Sequence, residues 1–430
     1  MTALSSLSTR SSKTTSPSSV PAVDALFVHT NFPGQFKRIA QQLAKGPDIR
    51  VHAIGSGTAT AMPGVNLVRY SVSSSDIASS HSLARRFEIE CRRAEQVIYT
   101  ANLLRLNQVD PKLIFVHSGW GESIPLRELF PRAHIVVYPE YFYRTRGTDV
   151  GFDPEAGQLG VDGAVRVSLR NASTLLALAD ADVVIAPTHW QKSLFPPEYH
   201  SKIQVIHDGI DTQRLVPAKA QFVDRRTGYV FRTGDEVVTY VARNLEPYRG
   251  FHIFMRALPE VLRARPNARV LIAGGDGVSY GAPADGFNSW REKLLAELGG
   301  QLDLSRVHMV GHLGYDDYVA LLRVSRVHVY LTYPFVLSWS ILEAMSLGCV
   351  VVGSDTGPVK EVIEDDVNGL LTPFFDGAQL AKQVVRVLAN PRKHARLGRA
   401  ARAHVVQNYD FESQTLPNYM QIIRAAEVPA

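Results

Sequence analysis

"LTYPFVLSWSILEAMSLGCVVVGSDTGPVKEVI" runs from Leu331 to Ile363, and its reading decides the fold. An apolar run ends in a turn at Pro334, and a helical pattern begins near Ser338 with Glu343 in its second turn. Gly348 closes that helix, a second apolar run CVVVG (349–353) follows, and Thr356 to Val359 open another helix. Strand, helix, strand and helix in immediate succession are the repeating unit of a parallel sheet.

Similar apolar runs flank this stretch in two series. ALFVH (25–29), RVHAI (50–54), LIFVH (113–117), HIVVY (134–138), DVVIA (182–186) and IQVIH (203–207) form the first. VVTYVA (237–242), RVLIAG (269–274), VHMVG (307–311), VHVYL (327–331) and CVVVG form the second. None alternates polar with apolar residues, which indicates strands covered on both faces. The class is therefore α/β, with two Rossmann-like doubly wound domains. Residues 1–22, rich in Ser and Thr and without an apolar core segment, read as a disordered tail rather than a usual secretory signal. The first domain is expected over 23–211 and the second over 237–407, joined by a polar linker at 212–236. A last helix within 408–430 is expected to cross back to the first domain.

The 430 residues are 45% hydrophobic and carry a formal charge of +5, too weak an excess to argue for nucleic acid. Cys91 and Cys349 match no metal or disulfide spacing, so a reducing, cytoplasmic setting is the default. No run of about 18 apolar residues is present to span a bilayer.

In paired sheets of this kind ligands collect at the carboxyl ends of the strands, here the cleft between the domains. "VARNLEPYRGF" (241–251) places Arg243 at a strand end and Arg249 beside Gly250. Two guanidiniums with a glycine for close approach suit a diphosphate. Spacing alone leaves open a solvated loop with two surface arginines. The helix starts around Val336 to Trp339 and Thr356 to Val359 add further amide donors for an anion. Gly34, in "HTNFPGQF" (29–36), stands at a strand-to-helix turn without the spaced glycines of a dinucleotide loop.

The set formed by Arg243 to Gly250, "IAGGDG" (272–277), "VGHLGYDDYVALL" (310–322), "SILEAMSLGCVVV" (340–352) and "GPVKEVIEDDVNGLL" (357–371) resembles the donor domain of glycosyltransferase family 4, retaining enzymes of GT-B fold. "NFPGQF", "ADVVIAPTHWQKSLF" (181–195) and "VIHDGIDT" (205–212) resemble its first half. The resemblance implies a nucleotide diphosphate sugar as donor substrate, with no metal or other cofactor. It implies that Arg243 and Arg249 neutralise the diphosphate, that Glu343 binds the ribose, and that the base sits near Gly311, His312 and Leu313. Gly34, Gly274, Gly275, Phe335, Leu337 and Ser338 complete the expected donor site. Phe335 stands where the family carries the first glutamate of its paired motif, and phenylalanine neither accepts a proton nor bonds a hydroxyl. His117 matches the family's histidine beneath the donor sugar.

Glu122, Glu140 and Tyr141 are candidates for the acceptor wall, with a charged rim over packed tyrosines as the plain alternative. The helix at 81–106 sets Arg85, Arg86, Arg92 and Arg93 beside an apolar stripe, which reads either as a solvated face or as peripheral contact with anionic lipid at the inner face of the plasma membrane. "GTDVGFDPE" (147–155) has no chemical assignment. The expected activity is transfer of a hexose to a hydroxyl of a saccharide or lipid-linked acceptor, in polysaccharide or glycoconjugate synthesis. The alternatives are a nucleotide-sugar 2-epimerase of similar fold and a non-catalytic binding protein.

Overall fold

The computed structural model describes residues 23–72 and 79–427; the expected N-terminal tail lies outside the described residues. The first sheet contains β1 (Val23–Val28), β2 (Ile49–Ser56), β3 (Val65–Tyr70), β4 (Leu113–His117), β5 (His134–Tyr138), β6 (Val183–Ala186) and β7 (Ile203–Val205). Its order is β3-β2-β1-β4-β5-β6-β7, every neighbour parallel. A ribbon of β8 (Gln221–Val223) and β9 (Val230–Arg232) precedes the second sheet. That sheet holds β10 (Val237–Asn244), β11 (Arg269–Gly275), β12 (Val307–Gly311), β13 (Val327–Tyr330), β14 (Val351–Ser354) and β15 (Leu370–Thr372). Its order is β12-β11-β10-β13-β14-β15, again parallel throughout.

The unalternating runs follow from where these strands lie. Side chains leave a strand on opposite faces in turn. In β1, Leu26 and Val28 enter one core while Phe27 enters another, and Val238 and Val237 divide the same way in β10. Both faces are covered by helices, so both must be apolar.

Residues 212–236 are not the featureless linker expected. Phe222 and Phe231 of the ribbon are buried in the second half's core, and His308 Nδ1 lies 2.8 Å from Asp224 Oδ2. Strands of three residues are too short to show a period in sequence.

The chain crosses between the halves twice at one place. Ile210 bridges Asp410, and the Asp410 carboxylate accepts from Thr212 Oγ1 at 2.6 Å and from Ser413 N at 2.9 Å. These bonds turn the chain, and after one π-helical turn, Phe411–Thr415, the last helix runs over Leu416–Glu427. Its Tyr419, Ile422 and Ile423 pack with Phe27, Phe36 and Phe115 of the first half.

The unassigned loop 147–155 is a strap between the halves. Asp149 accepts from Tyr141 OH and from Tyr248 OH, each at 2.8 Å, and Phe152 packs on Tyr333, Phe374 and Phe375. Asp153 accepts from Tyr333 OH and lies 3.1 Å from His252 Nε2, while Arg256 grips Glu155. A second tie runs through Glu361, which accepts from His189 N and Trp190 N at 2.7 Å each and so caps the helix His189–Leu194. Among the described residues no helix is long and apolar enough to cross a membrane.

Candidate active site

The carboxyl ends of the two sheets face each other across two joined cavities of about 500 and 890 Å³. Gly34, Arg243 and Ser338 line both. Gly274, His312, Leu313 and Glu343 line the larger, and Arg249, Leu337 and Glu140 the smaller.

On the second half's wall, β10 ends at Asn244, and a single turn, Pro247–Arg249, leads to Gly250 at φ +68. A Cβ at Gly250 would overlap Leu331, so glycine is required there by both conformation and space. The turn aims Arg249 into the cleft. Its Nη1 donates to Thr332 Oγ1 at 2.8 Å and to Val336 O at 2.9 Å, and its guanidinium lies 5.4 Å from the Tyr280 ring centre. Among the described residues no carboxylate pairs with it, so its charge stays uncompensated. Arg243 is exposed and, among the described residues, has no side-chain partner. Ser338 caps the helix Trp339–Ser346, its Oγ accepting from Ser340 N. Glu343 accepts from Tyr315 OH at 2.9 Å and Tyr318 OH at 2.7 Å, and burial raises its pKa despite those bonds.

On the first half's wall, the turn after β1 brings Gly34, at φ +46, against the His29 ring, where a side chain would overlap it. His29 Nδ1 accepts from Asn31 N at 2.9 Å, so Nε2 carries the proton and donates to Gln35 Oε1 at 2.7 Å. Gln35 Nε2 donates in turn to Glu140 Oε1 at 2.9 Å, and His117 Nε2 lies 3.5 Å from Glu140 Oε2. Burial, with His117 adding to it, lowers His29 to about 3, and the ring stays neutral. Burial pushes the Glu140 carboxyl up, but the nearby His117 ring and the hydrogen bond from Gln35 outweigh it and hold the group below the ordinary glutamate range. Glu140 itself takes φ +56, a left-handed conformation unfavourable to any side chain.

Asp208 joins the walls. Trp339 Nε1 donates to its Oδ2 at 2.7 Å and Tyr138 OH at 3.3 Å, while burial pushes its carboxyl up to about 7. Its Oδ1 is buried without a protein partner.

Five expected site residues stand elsewhere. Glu122 is fully buried, accepting from Tyr70 OH at 2.6 Å and from Thr30 Oγ1, so it is no part of an acceptor wall. Tyr141 is buried against Phe335 at 4.7 Å, its hydroxyl taken by Asp149 and Pro334 O. Phe335 is sealed among Tyr141, Tyr248 and Tyr280 and lines neither cavity. His117 is also buried, stacked on Trp120 at 4.3 Å, and reaches the cleft only through Glu140. Gly275 lies behind His312, leaving no room there for a side chain. The helix start at Thr356 to Val359 is likewise a correction. It is a four-residue helix, Gly357–Lys360, whose first residue abuts the Trp190 indole, and it lines neither cavity.

His29, Gln35, Asp208 and Trp339 were missed as site residues. A histidine closing β1 and an aspartate in "HDGID" were the signals available. Asp153, Glu155 and His252 place three potential metal ligands within 4.8 Å of one another, but Asp153 and Glu155 belong to the strap and are engaged by Tyr333 and Arg256, and His252, on the helix Phe251–Ala264, faces Asp153.

A family described as "Glycosyl transferase family 4 group" matches residues 47–215, and one described as "Glycosyl transferases group 1" matches residues 224–404. A GDP-mannose-dependent phosphatidylinositol monomannoside mannosyltransferase of Corynebacterium glutamicum is 22% identical over 75% of this chain and 78% of its own. A glycogen synthase of Mycobacterium tuberculosis is 30% identical over 50% of this chain, which spans only 46% of that relative. The crystal structure of Anabaena HepE with UDP and glucose superposes with a TM-score of 0.66 at 17% identity, covering 94% of this chain and 99% of that one. The two family matches follow each other along both halves of a GT-B fold, and the chain therefore belongs to the family 4-like glycosyltransferases.

Proposed function

We propose that the protein moves a hexose from a nucleotide diphosphate sugar to a hydroxyl of a saccharide or lipid-linked acceptor, with retention at the anomeric carbon and without a metal ion. The observation that carries this reading is Arg249, fixed by Thr332 and Val336 with, among the described residues, no carboxylate paired to it, in a cavity that Gly34 of the other half also lines. In this reading the nucleoside lies in the larger cavity, its ribose on Glu343 and its base against His312 and Leu313. The diphosphate lies between Arg243, Arg249 and the amides around Ser338.

As the bond from the anomeric carbon to the diphosphate oxygen breaks, charge grows on the β-phosphate. A guanidinium already in place stabilises that charge more than it does the ground state. The acceptor oxygen bonds to the anomeric carbon on the face the phosphate leaves, and its proton passes to a phosphate oxygen. Glu140, held ionised, faces the positive charge developing on the sugar ring. The free cysteines, one of them buried, suit the cytoplasm, and polysaccharide or glycoconjugate synthesis is the setting proposed.

A nucleotide-sugar 2-epimerase is the second reading, favoured by the ionisable Glu140 and His29 on one wall. The test is titration of the full chain with radiolabelled UDP- and GDP-sugars in EDTA, followed by product analysis. Donor binding with slow hydrolysis to the sugar of unchanged anomeric configuration is expected. Release of an epimer would select the second reading, binding without turnover on any acceptor would mark a non-catalytic protein, and binding only with added metal would overturn the role given to the arginines.

A further inference from the structure

Trp120 has a second exposed side. It stacks on His117, faces His29 at 5.2 Å and lines the smaller cleft cavity, yet it also walls a separate groove of about 490 Å³ on the outer surface of the first half. Five arginines line that groove, Arg85, Arg86, Arg93, Arg166 and Arg170, against one acid, Glu90. The acid offers a ligand nothing, since it is buried and its carboxylate accepts from Arg86 Nε at 2.9 Å. Arg93 reaches Trp120 O at 3.4 Å, and the Arg170 guanidinium rides 5.2 Å from the Tyr143 ring centre. Arg85 and Arg166 are exposed and, among the described residues, have neither hydrogen-bond nor ion-pair partner. Of the five guanidiniums on the groove Arg86 is the one paired with its single carboxylate, and the excess of cations that remains matches the doubly charged, multi-oxygen form of a phosphate.

The rim of the groove is apolar. The helix Val161–Leu169 shows Val161, Val165 and Leu169 at four-residue spacing, with exposures of 82%, 40% and 40%. Arg166 and Arg170 stand beside this stripe at the same spacing. On the neighbouring helix Arg85–Leu106, exposed Tyr99 and Leu106 continue the seven-residue spacing of Arg85 and Arg92. An apolar stripe bordered by cations is the surface that lies in a membrane interface with basic side chains on lipid phosphates.

We propose that this groove seats the phosphate of an anionic membrane lipid that carries the acceptor hydroxyl, with Val161, Val165 and Leu169 dipping into the interface. The proposal rests on the transfer reading above, because Trp120 sets the lipid phosphate beside the wall where the acceptor enters. It names the acceptor by chemistry: a phospholipid whose headgroup extends past Trp120 to place a hydroxyl near Glu140.

The test is co-sedimentation of the full chain with vesicles of phosphatidylcholine alone and of phosphatidylcholine mixed with phosphatidylglycerol, at physiological salt. Binding to the anionic vesicles only is expected. Arg85→Ala with Arg166→Ala should weaken it about 25-fold, at about fivefold for each basic residue near an anionic leaflet. Val165→Asp should also weaken it. Arg132→Glu serves as the control of equal charge change, since Arg132 lies before β5 at the opposite end of the sheet, beside Asp110. Equal vesicle binding by the double variant and the control, or none by the unaltered chain, would overturn the proposal. Glycerol 3-phosphate bound as tightly as the vesicles, with the same arginine dependence, would overturn the lipid as its source. Donor titration of the double variant is read in parallel. Unchanged nucleotide-sugar hydrolysis with vesicle binding as strong as that of the unaltered chain rejects this site alone, whereas absence of donor binding in every form rejects the transfer reading.

Discussion

Glu140 and Arg249 face the same cavity from opposite walls, and the backbone holds them in different ways. Arg249 stands one residue before Gly250, which takes the left-handed turn in its place. Glu140 takes that turn itself, at φ +56, with Gln191 Nε2 donating to its carbonyl at 2.6 Å and Gln35 and His117 on its carboxylate. What holds them also differs: Arg249 rests on hydroxyl and carbonyl oxygens, Glu140 on the Gln35 amide and beside the His117 ring. With phenylalanine in place of a glutamate at position 335, no acid competes for Arg249. Strain kept at a carboxylate facing a cleft, where a glycine would remove it, argues for a role of that carboxylate in turnover rather than in folding.

That contrast can be broken at three points. The largest effect is expected at Arg249→Ala, which should lower kcat/KM by about 10²- to 10³-fold, the range found when one preorganised charge donor is lost. Steady-state kinetics on the nucleotide sugar that the titration selects would check it, and an unchanged rate would remove Arg249 from the diphosphate site. Next comes Glu140. Glu140→Gln should cut turnover by at least tenfold while leaving nucleotide affinity alone, whereas Glu140→Gly should raise the unfolding free energy by about 1 kcal/mol through relief of strain. Loss of stability in the glycine variant, read by urea melts, would refute the strain argument.

The third point is Asp208, which ties the walls through Trp339 and acts on stability through pH. Its carboxyl is raised from 3.8 to about 7 by burial, so the native state binds its proton more tightly than the unfolded chain. The stability it contributes is therefore complete below pH 3.8 and is lost as pH rises through about 7. Asp208→Asn should flatten the fall of Tm between those limits, a slope of at most about 1.4 kcal/mol per pH unit. Identical pH profiles would mean that the buried oxygen Oδ1 is hydrated in solution.

The two walls also differ in how far they can be read from the chain. The second is contiguous: Arg243 to Gly250 is one strand end and turn, and Ser338 to Glu343 is one helix start, so spacing carries their relation. The first is assembled from the ends of β1, β4 and β5, where His29, His117 and Glu140 meet across more than a hundred residues. Nothing local separates Glu140 from Glu122, yet one lines the cleft and the other is bonded to Tyr70 inside the first half. The strap 147–155 was equally opaque, because its aspartates are defined by tyrosines of the other half.

The sequence by itself determined the two parallel sheets and the end of each on which the cleft opens. Strands covered on both sides must be apolar throughout, and the turns that leave their carboxyl ends must carry glycine, serine or charge. Only the tertiary structure decided which acids and histidines reach the cleft, how Phe335 is enclosed, and where five arginines converge behind Trp120. Local patterning reports the burial of a residue against its own helix or strand. A site built from separate strand ends depends on sheet order and on the docking of two halves, and those come from contacts that no short window of sequence contains.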